Sequence, residues 1–145
     1  MRLIDEIVIH CTATNPSWYK DRSAAEVVGE IRRWHTEERG WSDIGYHVCV
    51  HRSGETAQGR PDWRKGAHVA GHNSTTIGIA LVGGRGAVAN GKFEDNFTPE
   101  QDAALRKLIA EYKEKYPGIL KISGHSEYSQ KACPGFSVEE WLNEA

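Results

Sequence analysis

Two stretches of this sequence constrain its fold more than any other: EIVIHC, from Glu6 to Cys11, and IGIALV, from Ile77 to Val82. Each is a short, nearly continuous apolar run of strand length. A strand with no polar side has no face to give to water. It must be covered on both sides, as the inner strands of α/β sheets are. Alternation along the first run puts Val8 and His10 on one face and Ile7, Ile9 and Cys11 on the other. His10 then sits at the strand's C-terminal end, ahead of the polar loop TATNPSWYKDR. In α/β sheets that end is where functional groups gather.

The other segments supply what such a sheet needs. Ser23 to Glu26 has the spacing of a capping box, and Ala24, Val27, Val28, Ile31 and Trp34 follow helical spacing until Gly40 stops the helix. His35, near the end of that helix, is a candidate substrate contact. Tyr46 to Arg52 alternates as a strand, with Tyr46, Val48 and Val50 on one face and His47, Cys49 and His51 on the other. Cys49 reads as a small core residue. Residues four apart in a strand are separated by roughly 13 Å, so His47 and His51 are poor joint metal ligands. A turn at Arg52 to Glu55 lets ETAQGR return as the hairpin partner. The aperiodic stretch from Pro61 to Ser74 carries Trp63, His68 and His72. With the basic cluster Arg60, Arg64 and Lys65 it is a candidate cleft lining.

After Val82, the glycine-rich GGRGAVANGKF lacks the pattern of a phosphate cradle and reads as an exposed turn region. Thr98-Pro99-Glu100-Gln101 is a helix start, Leu105, Leu108, Ile109 and Tyr112 form its buried stripe, and Pro117-Gly118 ends it. ILKIS, from Ile119 to Ser123, is a short strand leading into His125, and Ser137 opens a last helix anchored by Trp141 and Leu142. The order of elements predicts one α/β domain over residues 1–145, with a mixed central β-sheet and helices packed against it.

Composition narrows the partners. The chain has 145 residues and a net charge of −2, so no global basic field points to nucleic acid. Asp5 and Glu6 stand where an export signal would need an apolar core, and no apolar run is long enough to span a membrane. The cysteines number three, which argues for reduced thiols rather than a disulfide framework.

Chemistry concentrates in GHSEYSQKACPGF, Gly124 to Phe136, which holds an imidazole at His125, a thiol at Cys133 and an ammonium at Lys131. Imidazole and thiolate both suit zinc. His10 and His125 each end a short buried strand, so two rigid elements can aim at one point while Cys133 arrives on a loop shaped by Pro134 and Gly135. A tetrahedral zinc with three such ligands keeps its fourth position open, the arrangement of a hydrolytic rather than a structural site.

The chain resembles the zinc-dependent N-acetylmuramoyl-L-alanine amidases, the family that includes amidase-type phage lysozymes and peptidoglycan recognition proteins. The matching segments are IVIHCTAT around His10, RGWSDIGYHV around Tyr46, GAH at His68, the strand IGIALVG and the closing GHSEYSQKACPGF, in the family's order. The resemblance implies His10, His125 and Cys133 as zinc ligands and Tyr46 and Lys131 as the catalytic side chains. It implies hydrolysis of the amide between the lactyl group of N-acetylmuramic acid and the L-alanine of the stem peptide in bacterial peptidoglycan. Stem-peptide carboxylates make Arg60, Arg64 and Lys65, with His35 and His68, the expected substrate contacts. A wall-cutting monomer without an export signal is expected to be a phage or prophage endolysin, made in the cytoplasm and released by a holin or by lysis.

Other readings stay open on sequence alone. One is a peptidoglycan-binding module without cutting activity, although binders of this fold typically lack the cysteine ligand that Cys133 provides here. Another is a protein that regulates an RNA polymerase, as one phage amidase of the family does, although no feature of the sequence supplies such a surface. A structural zinc protein would need a fourth protein ligand, for which His68 and His72 are the nearby candidates.

Overall fold

The computed structural model describes residues 2–144. Both apolar runs are inner strands. β1 (Glu6–Cys11) lies between β4 (Thr76–Leu81) and β5 (Lys121–Gly124) and runs parallel to both. β4 also pairs in parallel with β2 (Val48–Val50), and β3 (Thr56–Gln58) adds the antiparallel edge. The resulting five-stranded sheet, β3-β2-β4-β1-β5, is mixed as expected. Every residue of β4, and every residue of β1 after Glu6, is buried, which is why neither strand shows a polar face.

Helices cover both faces of the sheet. α1 (Ala24–Arg33) packs Val27, Val28 and Ile31 against Cys49, Ala80 and Val82. On the opposite face, Ile7, Ile9 and Cys11 meet Leu105, Ile109 and Tyr112 of α3 (Pro99–Lys115) and Val138 and Trp141 of α4 (Val138–Asn143). His10 thus faces the α1 side, as the alternation requires. The capping boxes at Ser23 and Thr98 both form. Gln101 does more than cap: its Nε2 donates to the carbonyls of Val50 and Val82 at 3.1 and 3.0 Å, tying the start of α3 to the ends of the strands.

Three local expectations change. The first helix is α-helical only to Arg33 and continues as a wider π turn from Trp34 to Glu38, with Gly40 at φ +71° beyond it. In that turn His35 is buried rather than presented on a helix surface. The glycine-rich segment does not end as an exposed turn: Phe93 opens a short helix, α2 (Phe93–Asn96), and packs among Phe97, Phe136 and Trp141. Finally, the strand alternation does not reach back to Tyr46. Val48 and Val50 enter the α3 side, whereas Tyr46 packs with Cys49 on the α1 side. The chain turns between Gly45 and Val48 before pairing begins, and this brings Tyr46 onto the same side of the sheet as His10.

Candidate metal centre and its cleft

The parallel register builds the site. Ile9 pairs with Gly124, so the next residues, His10 and His125, stand side by side at the C-terminal ends of adjacent strands. Their ring centroids are 4.6 Å apart, about the spacing of neighbouring strands. After His125 the chain makes a tight turn and loops back. Ser126 N–H donates to the Cys133 carbonyl at 2.8 Å, and Cys11 N–H donates to Cys133 Sγ at 3.0 Å. Tyr128 anchors this loop at its far side, donating its hydroxyl to Glu6 Oε2 at 2.5 Å, where Ser123 Oγ also donates. The outcome is that ligand atoms of His10, His125 and Cys133 lie within 4.8 Å of one another.

This donor set fits a zinc ion. Two imidazoles and a thiol are the ligands that borderline-soft metal prefers, and a centre roughly 2.0–2.3 Å from each needs them about this close. Burial pushes the pKa of His10 well down, reinforced by His68, His125 and the Lys131 charge. Burial and Lys131 lower His125 as well. Both rings are therefore neutral with a lone pair to offer. The Cys133 thiol is held protonated by its hydrogen bond with the Cys11 side chain and by burial, which outweigh the opposite pull of the Cys11 backbone N–H, so a metal arriving here displaces a proton.

A cavity of about 390 Å³ opens over two of the candidate ligands, His10 and His125, and is lined also by Tyr46, His68 and Lys131, with His35 and Arg39. A second cavity of about 400 Å³ adjoins it and shares His35, Arg39 and Tyr46 as the wall between them. The Tyr46 ring lies 5.2 Å from His10 and 5.6 Å from His35. Burial, then the neighbouring thiols, raises the Tyr46 phenol above its ordinary value, so it remains a hydrogen-bond donor. The DIGY turn that presents it is tightly built. Asp43 Oδ1 accepts from Ile44 N–H and from Arg32 Nε, both at 2.7 Å, and a side chain at Gly45 would overlap the Ala67 carbonyl.

The remaining candidates separate. His35 Nδ1 accepts from Gly45 N–H at 2.8 Å, and burial pushes the ring down to about 4. A neutral ring with Nδ1 engaged carries its proton on Nε2, which makes it a donor beside the cleft. His68 lies within hydrogen-bonding distance of His10 rather than among the three ligands. His72 stacks on Tyr128, so neither histidine serves as a fourth ligand. Arg60 is buried, and its guanidinium donates to the carbonyls of Ile44, Lys65 and Asp43. Arg64 pairs with Asp43 and donates to Ser42. Neither arginine, nor Lys65, lines the cavity over the ligands. The basic cluster near residue 60 is therefore largely spent on holding the loop. The cation that does reach both cavities is Arg39, which lies four residues after His35 and opens the RGWSDIGYHV segment, although the sequence alone assigns it no role. Its place at the head of that segment, one turn after His35, is the available signal.

With this geometry in place, comparison with known proteins is direct. The sequence profile of the N-acetylmuramoyl-L-alanine amidase family matches residues 1–136, and the chain belongs to that family. The endolysin of Escherichia phage T7 is 42% identical over 137 residues, covering 94% of this chain and 84% of the phage protein. The solved structure of the N-acetylmuramoyl-L-alanine amidase LysC from Clostridium intestinale URNW superposes with a TM-score of 0.72 at 30% identity, over 95% of this chain and 82% of that one. Bumblebee PGRP-SA shares the fold, with a TM-score of 0.76 at 24% identity over 97% of this chain and 81% of that one. The protein is accordingly an amidase with the fold common to these enzymes and the peptidoglycan recognition proteins.

Proposed function

We propose that His10, His125 and Cys133 hold a zinc ion, and that Tyr46 and Lys131 act beside it in cutting the amide between the lactyl group of N-acetylmuramic acid and L-alanine. The observation that carries this reading is convergence. Three metal-ligating atoms lie within 4.8 Å of one another, and two of their residues, His10 and His125, line a cavity that Tyr46 and Lys131 also line. When bound, zinc polarises a carbonyl and activates a water at neutral pH.

The chain's own residues do the rest. Lys131 brings a fixed positive charge and N–H donors to the place where the carbonyl oxygen gains charge. Tyr46, kept protonated by burial, donates a hydrogen bond and orients the scissile group rather than accepting its proton. His35 offers its Nε2 proton to a substrate carbonyl along the cleft wall. In this reading the chain acts as a phage endolysin, the name its T7 relative carries, working as a monomer that is made inside the infected cell and reaches peptidoglycan at lysis.

The test is digestion of purified peptidoglycan by protein of measured metal content. Mass spectrometry is expected to find stem peptides with a free L-alanine amino terminus and uncut glycan strands, with release blocked by a chelator and restored by zinc. Cuts within the glycan or within the peptide, or release indifferent to chelation, would overturn the proposal.

A further inference from the structure

Below the three candidate ligands runs a buried chain of polar contacts that the chemistry above does not use. His10 Nε2 lies 2.8 Å from His68 Nδ1, His68 Nε2 lies 3.1 Å from Thr76 Oγ1, and Thr76 Oγ1 lies 2.8 Å from the His72 carbonyl. His10 and Thr76 are 1% exposed and His68 7%, so the protein itself must satisfy these groups. We propose that His68 and Thr76 are positioning residues for the metal centre. They hold His10 in the tautomer that is protonated on Nε2, which leaves the Nδ1 lone pair for the metal. This inference rests on the assignment of His10 as a ligand.

The direction of the chain follows from counting protons. The His72 carbonyl can only accept, so it takes the single hydroxyl hydrogen of Thr76. Thr76 Oγ1 is then an acceptor for His68 Nε2–H, which leaves His68 Nδ1 an acceptor for His10 Nε2–H. All three contacts become hydrogen bonds. The reverse order starts with His68 Nδ1–H donating to His10 Nε2 and must spend the Thr76 hydrogen on His68 Nε2. It makes one bond fewer and puts a proton on His10 Nδ1, where the metal needs a lone pair. The forward order is therefore both better bonded and the one competent to bind metal. Fixing a ligand's tautomer through its second nitrogen is a general device of metal sites.

The packing shows that this contact is built. A Cβ at Gly78 would lie 2.5 Å from His68 Cγ, and one at Gly66 would lie 2.7 Å from its Cδ2, so two glycines make the slot that receives the ring. Asn73 Oδ1 accepts from the N–H groups of His68 and Val69 at 3.0 and 2.9 Å and pins the backbone on which the ring stands. Thr76 is the first residue of β4 and shares its rigidity.

Two measurements test the inference. In metal-stripped wild-type protein, long-range ¹H–¹⁵N correlation spectra at neutral pH are expected to show His10 and His68 both protonated on Nε2. His10 protonated on Nδ1 would overturn the proposal without any variant being made. Zinc dissociation constants, measured by competition with a chelating indicator, are then compared among variants. His68→Ala is expected to weaken zinc binding by about 10–100-fold. Thr76→Val keeps the shape but removes the hydroxyl. It is expected to weaken zinc in the same direction and to mix the His10 tautomers, while Thr76→Ser restores both readouts. Should His68→Ala fail to fold, the wild-type spectrum and the Thr76 pair still decide. Wild-type protein that binds no zinc removes the ligand assignment and this inference with it. Zinc held by wild type and by Thr76→Val with equal affinity, and with His10 in one unchanged tautomer, removes this inference alone.

Discussion

Cys11 donates its backbone N–H to the sulfur of Cys133 across 3.0 Å, linking positions 122 residues apart in the chain. The contact fixes the last candidate ligand against the strand that carries the first, and a donor aimed at sulfur favours its thiolate. Replacing Cys133 with alanine is expected to abolish zinc binding and peptidoglycan cleavage together while the sheet stays folded. Elemental analysis alongside a muropeptide digest checks this, and a Cys133→Ala protein that still cleaves after chelation would sink the assignment.

Lys131 lines the cavity over the ligands but is not one of them. Lys131→Ala should therefore retain zinc while kcat falls by roughly 10²–10³, the usual cost of losing one donor to a developing oxyanion. Zinc content that drops in parallel with activity would instead mark Lys131 as part of the metal site's framework.

The Tyr46 hydroxyl is the polar tip of a ring packed between His10 and His35. Tyr46→Phe keeps the ring and removes only the donor. The expected result is a lower kcat with zinc affinity and thermal stability close to wild type. Loss of stability comparable to a core deletion would show that the hydroxyl has a structural rather than a catalytic part.

Acid should destabilise the fold through its buried histidines. His47 Nδ1 accepts from Gly78 N–H at 3.0 Å, and burial pushes the ring from an ordinary 6.5 down to about 4. The unfolded chain thus binds a proton at a pH where the folded chain does not. This contribution is present in full above pH 6.5 and is lost as pH falls towards 4. Melting temperatures measured across that window should decline towards acid. His47→Asn, which cannot titrate, should show a shallower decline, and equal slopes would exclude His47 as a contributor.

Gln101 is fully buried and feeds the carbonyls of Val50 and Val82. Gln101→Leu removes those donors along with half of the Thr98 capping box, and should cost about 1–3 kcal/mol in urea unfolding. Activity per folded molecule should be unchanged, because the site lies at other strand ends.

Much of this architecture is legible in the amino-acid sequence. The runs around Ile7 and Ile79 mark covered strands because an all-apolar strand has only one stable setting. His10 at a strand's end and His125 just after another stand out as a pair for the same reason. The side-chain partners are not legible in this way. Arg60 reads as free to meet a carboxylate, yet its guanidinium is consumed by three carbonyls brought near it by the loop from residue 61 to 74 and the turn at Asp43. Tyr46 reads as a member of the Val48 face, yet the turn leading into β2 rotates it to the other.

The sequence by itself determined the covered strands around Ile7 and Ile79, the helices capped at Ser23 and Thr98 and which residue types can ligate a metal, because these depend on local periodicity and side-chain chemistry. Only the tertiary structure decided that Ile9 pairs with Gly124, setting His10 beside His125, and that Cys133 folds back onto Cys11. It also decided that His68 bonds to His10 instead of standing free in the cleft. Such relationships join residues tens to more than a hundred positions apart. They are set by strand register and by the pairing of buried polar groups, neither of which leaves a periodic trace in the chain.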